Sequence, residues 1–193
     1  MTIPDPFKSI SNANRKRALA CFCALSLALM VAMQWLDAHL KTHPAPHGIV
    51  SFELAGNSED ARHIISSWGQ KGQLRAALSL GLDYFFLVAY ALLIALACAQ
   101  IAKALRRGSR RITALGFLLA WLQIPAAMSD AIENTALIQV LLGSNHPAWP
   151  AVAGWCAVIK FSLVGAGLLY IAAAAMGFLA IRVLQRHSGS KHI

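Results

Sequence analysis

Four long apolar segments limit what this chain can fold into more than any other feature of its sequence. They cover residues 18–36, 82–102, 112–142 and 152–181. An α-helix needs about 20 mostly apolar residues to cross the hydrocarbon core of a bilayer, and each segment is close to that length or longer. Charged residues make up 13% of the chain, about half the share in a soluble domain. The sequence therefore predicts a single membrane domain over residues 1–193 with four transmembrane helices.

The first segment also has some features of a secretory signal peptide, because Arg15, Lys16 and Arg17 precede it. Its apolar run is longer than that of an ordinary signal peptide, and residues 34–37 provide no small-x-small cleavage site. We therefore expect a retained helix, with Asp37 at its interfacial end.

The positive charge of the chain, a net +9, is concentrated on one side of the predicted membrane. Basic residues precede the first span, fill the loop between the second and third spans, and follow the fourth span. They are Lys8, Arg15, Lys16, Arg17, Lys103, Arg106, Arg107, Arg110, Arg111, Arg182, Arg186 and Lys191. The charges of the loop 37–81 cancel, and residues 143–151 contain no Asp, Glu, Lys or Arg. This positive-inside bias predicts a bacterial inner-membrane protein with both termini in the cytoplasm.

The same distribution bears on the partners of the chain. Basic residues at a cytoplasmic surface attract anionic lipid, so membrane lipid is the expected partner. The basic side lacks the interleaved aromatic residues of a nucleic-acid-binding face, and no nucleic acid is expected as a partner. The four cysteines include no C-x-x-C pair, which argues against a quinone-linked, disulfide-forming bundle.

The lengths of the loops indicate how the spans are arranged. The loops 103–111 and 143–150 are short, so the helices that they join should be antiparallel neighbours. The predicted fold class is therefore all-α, a polytopic membrane protein built as an antiparallel four-transmembrane-helix bundle. On the fourth span, Gly165, Gly167, Ala173 and Gly177 permit close approach of another helix. That helix could belong to the same bundle or to a second copy, so a homo-oligomer stays open.

The loop 37–81 is the one substantial segment outside the predicted spans. In it, Asn57 or Ser58 can cap a helix whose first turn contains Glu59 and Asp60, and Gly69 can end it. This pattern predicts a short amphipathic helix over about residues 58–68. The helix should lie on the outer membrane surface or cover the bundle.

Several polar residues fall inside the predicted spans, where ionisable groups are costly and often functional. Asp130, Glu133 and Asn134 stand at positions i, i+3 and i+4 of the third span and share one face. At 1.5 Å per residue, Glu133 lies about 13 Å and Lys160 about 12 Å below the outer ends of their helices. The matching depths predict an ion pair between Lys160 and either Glu133 or Asp130.

The second span adds Asp83 and Tyr90, which are seven residues apart and also share a face. Three carboxylates then accompany one ammonium group, and a dry site cannot hold that excess as bare charge. A carboxyl group should therefore be protonated, or a cation bound. The predicted ligand-binding residues are Asp83, Tyr90, Asp130, Glu133, Asn134 and Lys160. Two other interpretations stay open: Asp83 could lie in headgroup water at the outer start of its helix, and the remaining charges could only hold the helices together.

The chain offers little for cofactor or metal chemistry. No glycine-rich phosphate loop, G-x-S-x-G or H-E-x-x-H motif is present, and no cofactor is expected. Five histidines fall in the outer loops: His39, His43, His47, His63 and His146. Pro44 and Pro46 interrupt any helical presentation of the first three, so an exposed loop is favoured over a metal site.

Several short motifs resemble a group of uncharacterised four-helix bacterial membrane proteins. The motifs are Phe52-Glu53-Leu54-Ala55-Gly56, Trp68-Gly69, Leu82-Asp83-Tyr84-Phe85-Phe86 and Asp130-x-x-Glu133-Asn134. The resemblance implies the same fold and topology and brings no known activity.

Three functions are compatible with these patterns. The favoured one is binding of a small cationic or lipid-like ligand in a polar pocket in the outer half of the bundle. The second is an accessory or assembly subunit whose polar residues are purely structural. The third, a membrane enzyme with Glu133 or Asp130 as general acid/base, is favoured less.

Overall fold

All elements in the described part of the chain are helices. The structure, a computed structural model, describes the backbone of residues 3–189 and the side chains of residues 3–106 and 108–180. The helices are α1 (Asn12–Asp37), α2 (Ile49–Glu53), α3 (Ser58–Ala104), α4 (Arg110–Leu141) and α5 (Ala148–Gly189), with a 3₁₀ turn at Leu105–Arg107. Within that part, four helices are long and apolar enough to cross a membrane: α1, α3, α4 and α5. The chain is therefore a multi-pass membrane protein, and the predicted all-α class is confirmed.

The helices extend beyond most of the predicted apolar spans. The largest difference is in the second span, predicted over residues 82–102, whereas α3 is helical from Ser58 and is interrupted only at Gly69. Hydropathy marks the part of a helix that lipid can surround, and it does not detect the more polar helical residues 58–81 that precede the span. The predicted third span ends at residue 142, one residue beyond α4.

The short helix predicted over residues 58–68 is the first part of α3. The Asn57 side chain accepts hydrogen bonds from the backbone N–H groups of Glu59 (3.0 Å) and Asp60 (2.9 Å), which confirms the predicted cap. Gly69 has a φ of 59°, a conformation that residues with a Cβ rarely adopt. The predicted break at Gly69 is therefore confirmed, and the chain resumes as a helix directly after it.

The packing places α3 at the centre, against α1, α4 and α5, while α4 also packs against α5. Successive long helices run in opposite directions, as predicted. We call the end that contains the start of α1 and the end of α3 the basic end; there Lys103 Nζ donates to Asn12 Oδ1 at 2.7 Å. Apolar residues such as Val31 on α1 and Leu169 on α5 are exposed, as expected for surfaces that face lipid.

The opposite end of the bundle is covered by α2 and residues 58–68, and we call it the capped end. Asp37 does more than end α1: its Oδ1 accepts a hydrogen bond from the backbone N–H of Ile49 at 2.6 Å and so caps α2. Gly48 has a φ of 58° there, and a Cβ at this position would collide with Asp37.

Trp68 is buried, packs edge-on against Phe52 with ring centroids 5.4 Å apart, and donates from Nε1 to Leu40 O at 2.7 Å. Of the two predicted positions for the short helix, covering the bundle is the one that these contacts favour.

Candidate functional site

The predicted ion pair forms, and it includes both carboxylates. Lys160 Nζ of α5 lies 3.1 Å from Asp130 Oδ1, and 3.0 Å from Oε1 and 2.9 Å from Oε2 of Glu133. Asp130 and Glu133 are one helical turn apart on α4, so their carboxylates reach the same ammonium group. The matching depths estimated from the sequence therefore gave the right partners.

Two neutral side chains connect this ion pair to α3. Tyr90 donates from its hydroxyl group to Asp130 Oδ2 at 2.8 Å, and Asn134 donates from Nδ2 to Asp83 Oδ2 at 2.8 Å. Asp83 is buried in the middle of a continuous helix. The interpretation of Asp83 as a helix start in headgroup water is therefore wrong, because α3 begins well before it. The structure brings all six predicted site residues together.

A seventh member of the site, Glu53, was not predicted. The last residue of α2, it points its carboxylate into the bundle, with Oε2 3.8 Å from Lys160 Nζ. In the sequence, Glu53 is one of the loop acids whose charges cancel those of the loop cations. Its place inside the mostly apolar residues 49–54 is the signal that could have identified it, because a solvated carboxylate is not expected there.

These residues form a site that is nearly closed to solvent, which we call the carboxyl–lysine cluster. Its charged members are Glu53, Asp83, Asp130, Glu133 and Lys160, and none is more than 7% exposed. One apolar group, which includes Phe52, Trp68 and Leu137, lies toward the capped end, and another, which includes Ile94 and Leu119, lies toward the basic end. Four carboxyl groups and one ammonium group thus lie together between two apolar layers.

Such an imbalance cannot persist as four bare carboxylates, because burial of an unpaired charge costs several kcal/mol. Burial raises the pKa of Glu53 above its ordinary value; Lys160 opposes the shift, and Asp130 adds to it. Glu53 and Glu133 also share one neighbour, since Lys160 Nζ lies 3.8 Å from Glu53 Oε2 and 2.9 Å from Glu133 Oε2. Among the described residues, no N–H or O–H group donates to the buried Glu53 Oε2. A proton held between Glu53 and Glu133 would supply that missing donor.

The raised pKa of Glu53 predicts how stability depends on pH. The folded state holds this proton more tightly than the unfolded state, so the free energy of unfolding should be highest below the ordinary carboxyl pKa. It should fall as pH rises toward the folded pKa, with a slope that approaches about 1.4 kcal/mol per pH unit for one proton. In Glu53→Gln this contribution is absent, and the slope should be smaller. Equilibrium unfolding in mixed micelles across a pH series measures both.

The matched control for this prediction is Glu59→Gln, which removes an exposed carboxylate six residues away. It should keep the wild-type slope. Equal slopes for Glu53→Gln and the wild type would show that Glu53 gains no proton affinity on folding.

One more buried polar residue of α4, Gln123, lies outside the cluster. Gln123, on the same α4 face as Asp130, donates from Nε2 to Leu119 O (3.1 Å) and Leu163 O (3.4 Å), which ties α4 to α5. Among the side chains that the structure describes, those of residues 3–106 and 108–180, no three His, Cys, Asp or Glu groups are arranged to hold a metal ion. An apolar groove of about 530 Å³ runs between α3 and α4, but its α4 lining includes Ala127 and Ala131 rather than Asp130 or Glu133.

Comparison with models of protein families, with curated proteins and with solved structures finds no match to this chain. The resemblance to four-helix bacterial membrane proteins stays a prediction, and function has to be argued from the site.

Proposed function

We propose that this chain is a membrane protein that binds a small cation, in the simplest case an exchangeable proton, at its carboxyl–lysine cluster. The observation that supports this proposal most is the ratio of four buried carboxyl groups to one buried ammonium group. An ion pair whose only role is to hold helices together needs one carboxylate for one ammonium group. The negative charge of the additional carboxyl groups has to be neutralised, and a bound proton or small cation would neutralise it.

The size and chemistry of the site favour a proton over a larger ligand. The Glu133 and Asp130 carboxylates contact Lys160, Asp83 contacts Asn134, and none of the charged side chains is more than 7% exposed, so there is little room for a larger ligand. A lipid-like ligand, the other part of the original prediction, would have to displace these contacts. A proton needs no such volume and binds between two carboxyl groups.

The proposal includes an orientation. The basic end contains Lys103, Arg110 and Arg111, and the positive-inside rule assigns such an end to the cytoplasm. The carboxyl–lysine cluster would then lie in the outer half of a bacterial inner membrane, with both termini cytoplasmic. Four helices are few for a carrier, so transport coupled to this proton would require a homo-oligomer.

The two alternatives receive less support. If the acids of an accessory subunit were purely structural, all of them should be paired. Glu53 Oε2 is instead buried without a donor among the described residues. A membrane enzyme would favour a long apolar cavity beside the acids. The apolar groove instead borders Ala127 and Ala131, and Asp130 points toward Lys160.

Infrared spectroscopy tests the proposal directly, because a protonated carboxyl group has a C=O stretching band that a carboxylate lacks. We expect wild-type protein in lipid nanodiscs to show this band at neutral pH, since the cluster cannot hold four bare carboxylates. Glu53→Gln and Glu133→Gln should each weaken the band or shift it, because each removes one side of the shared proton.

Glu59→Gln, which changes an exposed carboxylate on α3, should leave the band unchanged. A wild-type spectrum without a protonated carboxyl band at neutral pH would contradict an exchangeable proton at the cluster. So would a band that survives both cluster substitutions without change.

A further inference from the structure

The basic end of the bundle contains a second cavity, separate from the carboxyl–lysine cluster. Its volume is about 850 Å³, and it lies between the N-terminal segment, the end of α3 and the start of α4. Six cations line it, against the single carboxylate of Asp5. They are Lys8, Arg15, Lys103, Arg106, Arg110 and Arg111. So many like charges around one cavity repel one another and favour an anionic occupant.

Arg15 distinguishes this cavity from a cluster of surface lysines, because its guanidinium group is buried and held in place. Although Arg15 lies in α1, it is 1% exposed. Its Nη2 donates to Asp5 Oδ2 at 2.7 Å and to Phe7 O, and its Nε donates to Ile10 O at 3.1 Å. Its Nη1 is buried and has no hydrogen-bond partner among the described residues. A guanidinium nitrogen in that state is a ready donor for an oxyanion.

The cavity adjoins the apolar groove between α3 and α4. The N-terminal segment forms the wall between them, since Asp5 and Lys8 line the cavity while Pro6 and Phe7 line the groove. Trp121 of the groove donates from Nε1 to Pro4 O of the cavity wall at 3.0 Å. On α4 the lining passes from Phe117 in the cavity to residues 120 and 121 in the groove, one helical turn further on.

We propose that these two spaces together form a binding site for one anionic phospholipid, with its phosphate in the basic cavity and an acyl chain in the apolar groove. From residue 120 to residue 131 of α4, the groove extends about 16 Å at 1.5 Å per residue. That is about half the hydrocarbon thickness of a bilayer, which is the length of one acyl chain. The exposed residues Trp121, Ile124 and Met128 along it are apolar.

The position of the basic cavity next to the apolar groove explains why a lipid is the proposed occupant. A free phosphate would use the cations and leave the apolar groove to bulk lipid. A zwitterionic lipid would use the groove but would bring a positive group toward the cations. An anionic phospholipid satisfies both surfaces, and basic pockets between transmembrane helices are known to select such headgroups.

The test uses the delipidated full chain in neutral detergent and native mass spectrometry. A phosphatidylglycerol and a phosphatidylcholine with identical acyl chains are the two lipid probes, and glycerol 3-phosphate is the probe without chains. We expect phosphatidylglycerol to bind at least tenfold more tightly than phosphatidylcholine, and glycerol 3-phosphate to compete weakly. Equal affinity for the two lipids, or glycerol 3-phosphate as effective as the lipid, would overturn the proposal.

Substitutions separate the two halves of the site. Arg110→Gln with Arg111→Gln removes two cavity cations and should lower affinity for phosphatidylglycerol about thirtyfold, since each surface cation contributes roughly fivefold. Lys71→Gln with Arg75→Gln removes two cations from α3 on the side of the capped end and should leave affinity unchanged. If both pairs lowered affinity equally, the attraction would be general and the site would be refuted.

Ala127→Phe fills the groove and should lower affinity for both lipids about tenfold, because roughly two methylene groups lose their contact. Ala172→Phe, on an exposed position of α5, is its control. Helix content and thermal stability identify a variant that has lost its fold. If Ala127→Phe is unfolded, the Arg110→Gln and Arg111→Gln pair still tests the site, because both arginines are exposed. Unchanged affinity in a folded Ala127→Phe would exclude the acyl-chain part of the proposal.

Discussion

Lys160→Met is expected to destabilise the bundle by about 3–5 kcal/mol at neutral pH, the usual cost of removing one partner from a buried ion pair. The substitution keeps the length and volume of the side chain but removes the ammonium group. Asp130 and Glu133, 3.1 Å and 2.9 Å from Lys160 Nζ, then lose their shared cation inside an apolar surrounding. Equilibrium unfolding in mixed micelles, followed by tryptophan fluorescence, measures the loss.

The mechanism predicts a rescue by acid. At low pH the carboxyl groups accept protons and no longer need the cation, so the difference between Lys160→Met and the wild type should shrink. Adding Glu133→Gln to Lys160→Met should recover part of the stability, because one bare carboxylate is removed as well. Ile159→Met, at the half-exposed position next to Lys160, is the control and should cost less than about 1 kcal/mol. A Lys160→Met protein as stable as that control would show that the ion pair contributes nothing.

Gly116→Ala is expected to have the next largest effect, a loss of about 1–3 kcal/mol from overpacking. Gly116 lies on α4 where it meets α3 and α5. A Cβ there would come within 2.7 Å of Tyr170 Cζ and 2.8 Å of Ala102 Cβ, and closer still to the Tyr170 hydroxyl group. Neither neighbour can move cheaply, since Ala102 Cβ is fixed to the α3 backbone and Tyr170 is a rigid ring that donates to Ile112 O at 3.2 Å.

The control for the helix contact is Gly165→Ala, since a Cβ at Gly165 meets nothing within 4 Å. It should be neutral or should stabilise α5 by up to about 1 kcal/mol, because alanine is the better helix former. Thermal unfolding in detergent compares the two variants. Equal midpoints would mean that α4 does not approach α3 and α5 as closely as the structure indicates.

The glycines show which features of helix packing a sequence can predict. Gly165, Gly167 and Gly177 were predicted to be small residues suited to close packing. Only at Gly167 among these three would a Cβ press on a neighbour, 2.7 Å from Ile94 Cγ2; at Gly165 and Gly177 it meets nothing. Gly116, the most confined glycine inside the long helices, was not predicted. Residue size is visible in a sequence, but the side of the helix that meets a neighbour depends on how the helices cross.

Some members of the carboxyl–lysine cluster could likewise be predicted from the sequence, and one could not. Asp130, Glu133 and Lys160 were matched because their helices are joined by a short loop, so depth along each helix follows from counting residues. Glu53 was not matched, because its depth depends on how a loop of twenty residues between α1 and α3 folds back over the bundle. No periodicity fixes such a path. The Asp37 cap of α2 and the Phe52–Trp68 contact help to hold Glu53 inward.

The sequence alone determined the properties that follow from local chemistry and lipid solvation. These are the four spans, their antiparallel order, the break at Gly69 and the asymmetry of charge, because hydropathy, loop length and glycine act over a few residues at a time. The tertiary structure decided the properties that depend on contacts between distant segments. It brought Glu53 within 3.8 Å of Lys160 Nζ, buried Asp83 beside Asn134, and placed a basic cavity next to an apolar groove at the N-terminal segment. The physical reason is that a side chain's depth along a helix follows from counting, whereas its neighbours across helices follow only from packing.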